Sequence, residues 1–284
     1  MNKIRIGGVP EHFNLPIHLA IEDGEFEARG LDVEWTTFKG GTGQMTKALR
    51  EDEIDVCILL TEGIISDIIK GNPSKIISVF VNTPLIWGVH TGIENELDSY
   101  SDIFDKNYAI SRIGSGSHLM AIVDANSQGK KLDKEQFEII KNLDGALDSL
   151  AKKESDVFYW EKFTTKPYVD NGQLKRVGEY LTPWPCFVVA ATEKVLKEQP
   201  ENINRMLRTI HDSVDNFMQN ETSVHMVSER YNLPIEDVER WYYSTEWAMH
   251  GWVNDKMIKN VIYHLKLAGI VDKNARIPEL IWKR

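Results

Sequence analysis

The chain contains no apolar stretch long enough to span a bilayer and no dense cluster of lysine and arginine. With a formal net charge of −10 over 284 residues, these absences argue against membrane insertion. They argue equally against nucleic acid or an anionic membrane surface as the main partner. Cysteine is scarce. Cys57 and Cys186 both lie in apolar runs and neither belongs to a Cys-x-x-Cys pair, which leaves buried free thiols or a single disulfide between them. His-Glu-x-x-His, Gly-x-Ser-x-Gly and the P-loop are all missing, so no catalytic motif is legible and no cofactor is called for. Met1-Asn2-Lys3 runs directly into Ile4-Arg5-Ile6, without the charged, apolar and cleavage regions of a leader. The expectation is a cytoplasmic protein, or a periplasmic or lipid-anchored one if a leader has been removed.

What is present is a repeating strand–helix pattern organised around Phe38-Lys39-Gly40-Gly41-Thr42-Gly43-Gln44-Met45. Three glycines in four residues allow a sharp turn and a close backbone approach. Thr42 reads as the N-cap of a short helix whose apolar face is Met45, Ala48 and Leu49. Strands are expected at Ile4–Gly8, Leu31–Trp35, Ile54–Leu60 and Ile76–Val81, with helices after the first three. Strand–helix–strand units at these spacings imply right-handed crossovers and a mostly parallel sheet in an α/β fold. Further on, helices are expected at Pro200–Gln219, Ile235–Trp241 and Asp255–Ala268. The Trp241-Tyr242-Tyr243…Trp247…Trp252 stretch reads as helix packing, with a homodimer surface as the second reading.

Several of these stretches resemble one family. His18-Leu19-Ala20-Ile21-Glu22-Asp23-Gly24-Glu25-Phe26-Glu27-Ala28-Arg29-Gly30-Leu31-Asp32-Val33-Glu34 is similar to a signature of the substrate-binding proteins of ABC importers for nitrate, sulfonates, taurine and thiamine-pyrimidine precursors. The Gly-rich turn with Leu49-x-x-Asp52-x-Ile54-Asp55-Val56 follows the same pattern, although family members usually carry Gly at the position of Asp52. Asn107–Ser111 with Gly114–His118 resembles the strand, loop and helix start of the family's second lobe. Glu193–Leu207 resembles its first long C-terminal helical segment, so the likeness runs from Ile4 to Leu207. The GGTGQM turn resembles a leaderless subgroup with GGTGAM-like turns.

The resemblance implies a two-lobe, type II periplasmic-binding-protein fold. Lobe one would comprise residues 1–88 and 186–284, and lobe two residues 89–185. Crossings are expected near Pro84–Thr91 and Leu181–Val188, with a small molecule clamped by loops at the strand ends. The first lobe would offer Glu11, His12 and Phe13; Gly41, Thr42, Gly43 and Gln44; Thr61 and Glu62; and Asn82 leading into Trp87. The second would offer Arg112, Ser115, Gly116, Ser117 and His118, together with Trp160 and Glu161, and Trp184 would lie on the return crossing. Each has a plainer reading: isolated histidines in loops are more often surface residues, the tryptophans packing, the glutamates solvated charge. Glu62 and Glu161 facing a ligand would favour a cationic or amine-bearing molecule. Arg112 beside Gly-Ser-Gly-Ser would favour a carboxylate, sulfonate or phosphate.

One branch of the family, the fungal pyrimidine synthases, is enzymatic, using a lysine for pyridoxal phosphate and a histidine as substrate. These fall at Leu59 and Gly63 here, and the branch's cysteine-rich motif falls at Pro185-Cys186-Phe187 with one cysteine. The reading is therefore a non-catalytic binding protein, with a synthase-like enzyme or an interaction protein with a vestigial cleft as alternatives. An ABC permease would be the partner if the protein is secreted.

Overall fold

A computed structural model describes residues 3–283; Met1 and Asn2, where the leader reading starts, lie outside the described residues. Strand β1 (Lys3–Gly8) is followed by a 3-10 turn (His12–Asn14), helices α1 (Leu15–Glu22) and α2 (Glu25–Ala28), β2 (Asp32–Thr37), α3 (Gly41–Arg50), β3 (Val56–Leu60), α4 (Thr61–Ile69) and β4 (Ser74–Val81). Next come β5 (Ile86–Gly92), β6 (Tyr108–Ile110), α5 (Gly116–Ser127), β7 (Phe137–Ile139), α6 (Leu143–Ala151), β8 (Val157–Glu161), α7 (Lys162–Asp170) and β9 (Leu174–Leu181). The chain then forms β10 (Phe187–Thr192) and helices α8 (Glu193–Glu198), α9 (Pro200–Gln219), α10 (Ser223–Tyr231), α11 (Ile235–Ser244) and α12 (Asp255–Leu267). It divides into two compact units. One comprises the chain up to Thr83, Trp184–Val261 and the chain from Ala275 onward; the other comprises Pro84–Pro183 with Ile262–Asn274.

The first unit is built on a five-stranded sheet in the order β2-β1-β3-β10-β4. β1 runs parallel to β2 and β3, whereas β10 is antiparallel to both of its neighbours. Four strands thus share one direction and β10 is reversed between them. The sheet is mixed, and β10 supplies a wholly buried central strand, as its apolar and small residues suit. Edge strand β2 alternates and is largely exposed. Helix α9 buries Ile203, Met206, Leu207, Ile210, Val214 and Phe217, a stripe at helical spacing. Helix α10 falls where the sequence carries little apolar period; only Ser223, Val224 and Val227 are buried there.

The C-terminal aromatics divide into two groups. Trp241 and Trp247 are buried and meet edge to face at 5.4 Å, and the Trp247 indole N–H donates to the Phe13 carbonyl at 3.0 Å. Tyr243 and Trp252 are 80% and 85% exposed. Cys57 and Cys186 are free, buried thiols, which settles the alternative left open by the sequence; burial pushes the Cys57 thiol above its usual range. Asp52 takes a left-handed conformation with φ 57°.

The second unit has a sheet in the order β7-β6-β8-β5-β9. β6 is parallel to β7 and β8, and β5 is antiparallel to β8 and β9. Here too four strands share a direction, and β5 is the reversed one. Among the described residues no helix is long and apolar enough to cross a membrane.

Helix α3 starts differently from expectation. Its N-cap is Gly40, whose N–H donates to the Gln44 side chain at 2.9 Å, and Thr42 lies inside the first turn, buried. Gly41 takes φ +66°, a conformation that suits glycine at this turn. Thr42 packs against α4 so closely that a Cβ on Gly63 would fall 2.4 Å from its Cγ2. Gly63→Ala is expected to destabilise the fold by about 1–3 kcal/mol through overpacking. In a Thr42→Ser background, which removes that methyl, the same change should be roughly neutral; urea unfolding of the four variants checks this coupling.

Candidate functional site

In the first unit, the pairing places the ends of β1, β2, β3 and β4 and the start of β10 at one edge of the sheet, with Phe187 opposite both Leu60 and Val81. The segment entering β10 is stitched to the start of α4. The Thr61 N–H donates to the Cys186 carbonyl at 3.0 Å, and the Thr61 hydroxyl donates to the Pro185 carbonyl at 2.6 Å. Next to it, the Trp184 indole N–H donates to Glu62 Oε2 at 2.8 Å. Glu62 is 2% exposed and its Oε1 has no hydrogen-bond partner among the described residues. Leu60 N–H reaches Thr42 Oγ1 at 3.4 Å, which ties the Gly-rich turn to the same place.

The segment after β1 is a buried 3-10 turn rather than an exposed loop. His12 meets Trp241 edge-on at 4.1 Å and stacks on Phe13, whose ring lies 5.1 Å from Phe187. His12 Nε2 and Trp241 Nε1 have no hydrogen-bond partner among the described residues. The Asn14 amide donates to the Val9 carbonyl at 2.8 Å and leaves its Oδ1 unpartnered. The Glu11 carbonyl accepts from Asn14 N–H and the Tyr231 hydroxyl. Asn82 is exposed and bonds Glu246. Gly43 and Gln44 are in the first turns of α3. Asn14, the last residue of the Pro10–Asn14 loop segment, thus joins the edge, as does Trp241, which the sequence offered only as helix packing. Asn14 follows Phe13 directly, but Trp241 reaches His12 only through the fold.

The second unit has a corresponding edge at the ends of β6 and β8. Ser115 caps α5, accepting from His118 N–H at 3.3 Å. Ser117 Oγ accepts from Ser111 N–H at 3.1 Å and lies 3.0 Å from Ser115 Oγ. His118 is buried on α5, behind Gly116 in the first turn, and its Nδ1 accepts from Gly114 N–H. Its ring faces Phe137 and its Nδ1 is taken by Gly114, so these groups form a hydroxyl-lined helix start. Arg112 is half-buried in the turn before it. Glu161 caps α7 through Thr164 N–H and Oγ1 at 2.7 and 2.8 Å. Trp160 stacks on Phe158 at 5.2 Å, packed against the apolar cluster beneath α6. Trp87 is buried in β5, donating to Thr182 at 2.8 Å.

Burial sets the protonation of these groups. The Glu62 carboxyl is pushed up to about 7, burial outweighing the Trp184 donor and its own amide. Burial holds His12 at about 3 and His118 at about 4, so both imidazoles are neutral at ordinary pH. Burial also raises Glu161, against the donors of α7. Among the described residues no group of histidine, cysteine and acidic side chains could hold a metal ion.

A buried acid raised from 4.5 to about 7 binds its proton more tightly in the folded chain than in the unfolded one. Stability from this group is therefore fully present below about pH 4.5 and is lost as pH rises through about 7. Glu62→Gln keeps an acceptor for Trp184 and removes the titration. The variant should gain on the order of 3 kcal/mol over wild type between about pH 4.5 and about pH 8. Urea unfolding at both pH values checks it; equal wild-type-to-variant differences at the two would contradict it.

The Ca3427-like PBP family model matches residues 87–180. No curated protein matches the chain. Among solved structures, the Candida albicans CA3427 gene product, which defines a family with the generic periplasmic binding protein structural fold, is 27% identical. It superposes with a TM-score of 0.91 over 100% of this chain and 98% of its own. The alkanesulfonate-binding protein SsuA from Xanthomonas axonopodis pv. citri, bound to MOPS, is 14% identical with a TM-score of 0.81, covering 99% of this chain and 98% of its own. The periplasmic aliphatic sulphonate binding protein SsuA of Escherichia coli is 15% identical with a TM-score of 0.72, covering 100% and 92%. The two mixed sheets flanked by helices therefore form a type II periplasmic-binding-protein fold.

Proposed function

We propose that the chain binds a small polar organic molecule at the strand ends of its first unit and performs no chemistry on it. One observation carries this reading. Four buried polar atoms without a partner among the described residues (His12 Nε2, Asn14 Oδ1, Glu62 Oε1 and Trp241 Nε1) occur along one edge of the first sheet and the aromatic group packed there. Buried polar atoms are ordinarily paired, and a set concentrated at strand ends is what a ligand with several polar groups would satisfy. The similar Xanthomonas protein, bound to MOPS, supports ligand binding on this fold. The synthase-like alternative draws no support: Leu59 is a buried strand residue, and any side chain at Gly63 would meet Thr42. In a secreted form an ABC permease would take up the ligand.

A thermal-shift panel of amines, sulfonates, carboxylates and nucleosides tests the reading. One chemical class should raise the melting temperature, by about 2.7 kcal/mol of stabilisation at a hundredfold excess over Kd. The bound compound should be recovered unchanged by mass spectrometry. No shift with any class, or conversion of the compound, would overturn it.

A further inference from the structure

The first-sheet edge offers acceptors rather than cations. Of the two acids that could set ligand charge, Glu161 has its Oε2 committed to Thr164 at the start of α7. Glu62 is different: Oε2 is held by Trp184, and Oε1 is buried without a partner. Its protonation is governed by burial, Trp184 and its own amide, with no lysine, arginine or histidine contributing. Asn14 adds a second unpartnered acceptor, Oδ1, because its amide is spent on Val9. His12, which shares the edge, is neutral and brings no positive charge.

We infer that Glu62 Oε1 is the specificity-determining acceptor for a cationic nitrogen, so that the ligand is an amine or amidine presenting N–H groups and not a sulfonate or carboxylate. This rests on the binding reading above. The physical case is that a buried carboxylate without a counter-ion is costly, and a desolvated ligand cation supplies both the missing charge and the missing donor. Trp184 holds one oxygen in place, which fixes the carboxyl plane and leaves one lobe of acceptor density for the ligand. A sulfonate brought to the same edge would meet the Glu62 and Asn14 acceptors and a like charge, with the neutral Trp241 indole N–H as a donor but no cation to offset that charge.

The test is calorimetric titration of the full chain with benzamidine and 4-aminopyridine, set against benzenesulfonate and benzoate, at about pH 8 in wild type and Glu62→Gln. At least one cationic probe should bind wild type and lose about tenfold or more in Glu62→Gln, the scale of a lost charge-assisted hydrogen bond; neither anion should bind. Wild type alone gives a second readout. Affinity for benzamidine, which stays cationic throughout, should fall about tenfold from about pH 8 to about pH 5.5 as Glu62 takes up its proton. Cation binding unchanged in Glu62→Gln and flat with pH would overturn the inference. Binding of an anion with both cations silent would overturn it while leaving the binding reading standing. Silence from all four probes would overturn the inference, and the thermal-shift panel decides separately whether the binding reading falls with it.

Discussion

A single indole N–H holds the carboxyl group of Glu62 at the end of β3, and the rest of the candidate site depends on that pairing. Trp184 lies 122 residues further along the chain. It reaches Glu62 because β10 inserts, reversed, between β3 and β4. The same insertion brings Pro185 and Cys186 onto Thr61, so the start of α4 is fixed by a backbone bond to Cys186 and a Thr61 hydroxyl bond to Pro185. The position of Glu62 is thus a consequence of sheet topology. Its chemistry is a consequence of burial: among the described residues one oxygen is bonded, the other is not, and no counter-charge faces the carboxyl group.

Such an arrangement opposes folding. A carboxylate taken out of water without a paired cation costs stability, and the chain tolerates that cost through a core that includes β10 and the Phe13–Trp241–Trp247 aromatic group. Buried polar groups left unsatisfied together at one edge are a pattern expected where stability is exchanged for recognition. Glu161 shows the contrast. Equally buried, it is surrounded by donors from the first turn of α7 and closes a local structural problem.

Much of the fold was legible in the chain because its signals are local. The strands of the first unit follow from short apolar runs, and α9 from Ile203, Met206, Leu207, Ile210, Val214 and Phe217 at helical spacing. The left-handed residue at Asp52 was expected from its place in the strand-entry pattern. What was not legible is non-local. The reversal of β10 depends on strands more than a hundred residues away. His12 reads as a loop residue until Trp241 and Tyr231 close over it. Thr42 resembled an N-cap because threonine favours that position, but Gly40 capped by Gln44 occupies it, and Thr42 instead wedges against Gly63. Glu161 carried a local clue in Thr164, three residues on, but glutamate is a poor capping residue by preference and the pattern is weak.

The account turns on the electrostatic state of Glu62, and its most direct measurement is an NMR titration of that side-chain carboxyl carbon. The account predicts a midpoint near 7 in the free protein, moving downward when benzamidine saturates the site, because a bound cation favours the charged form. A midpoint near the ordinary 4.5 that does not respond to benzamidine would contradict it.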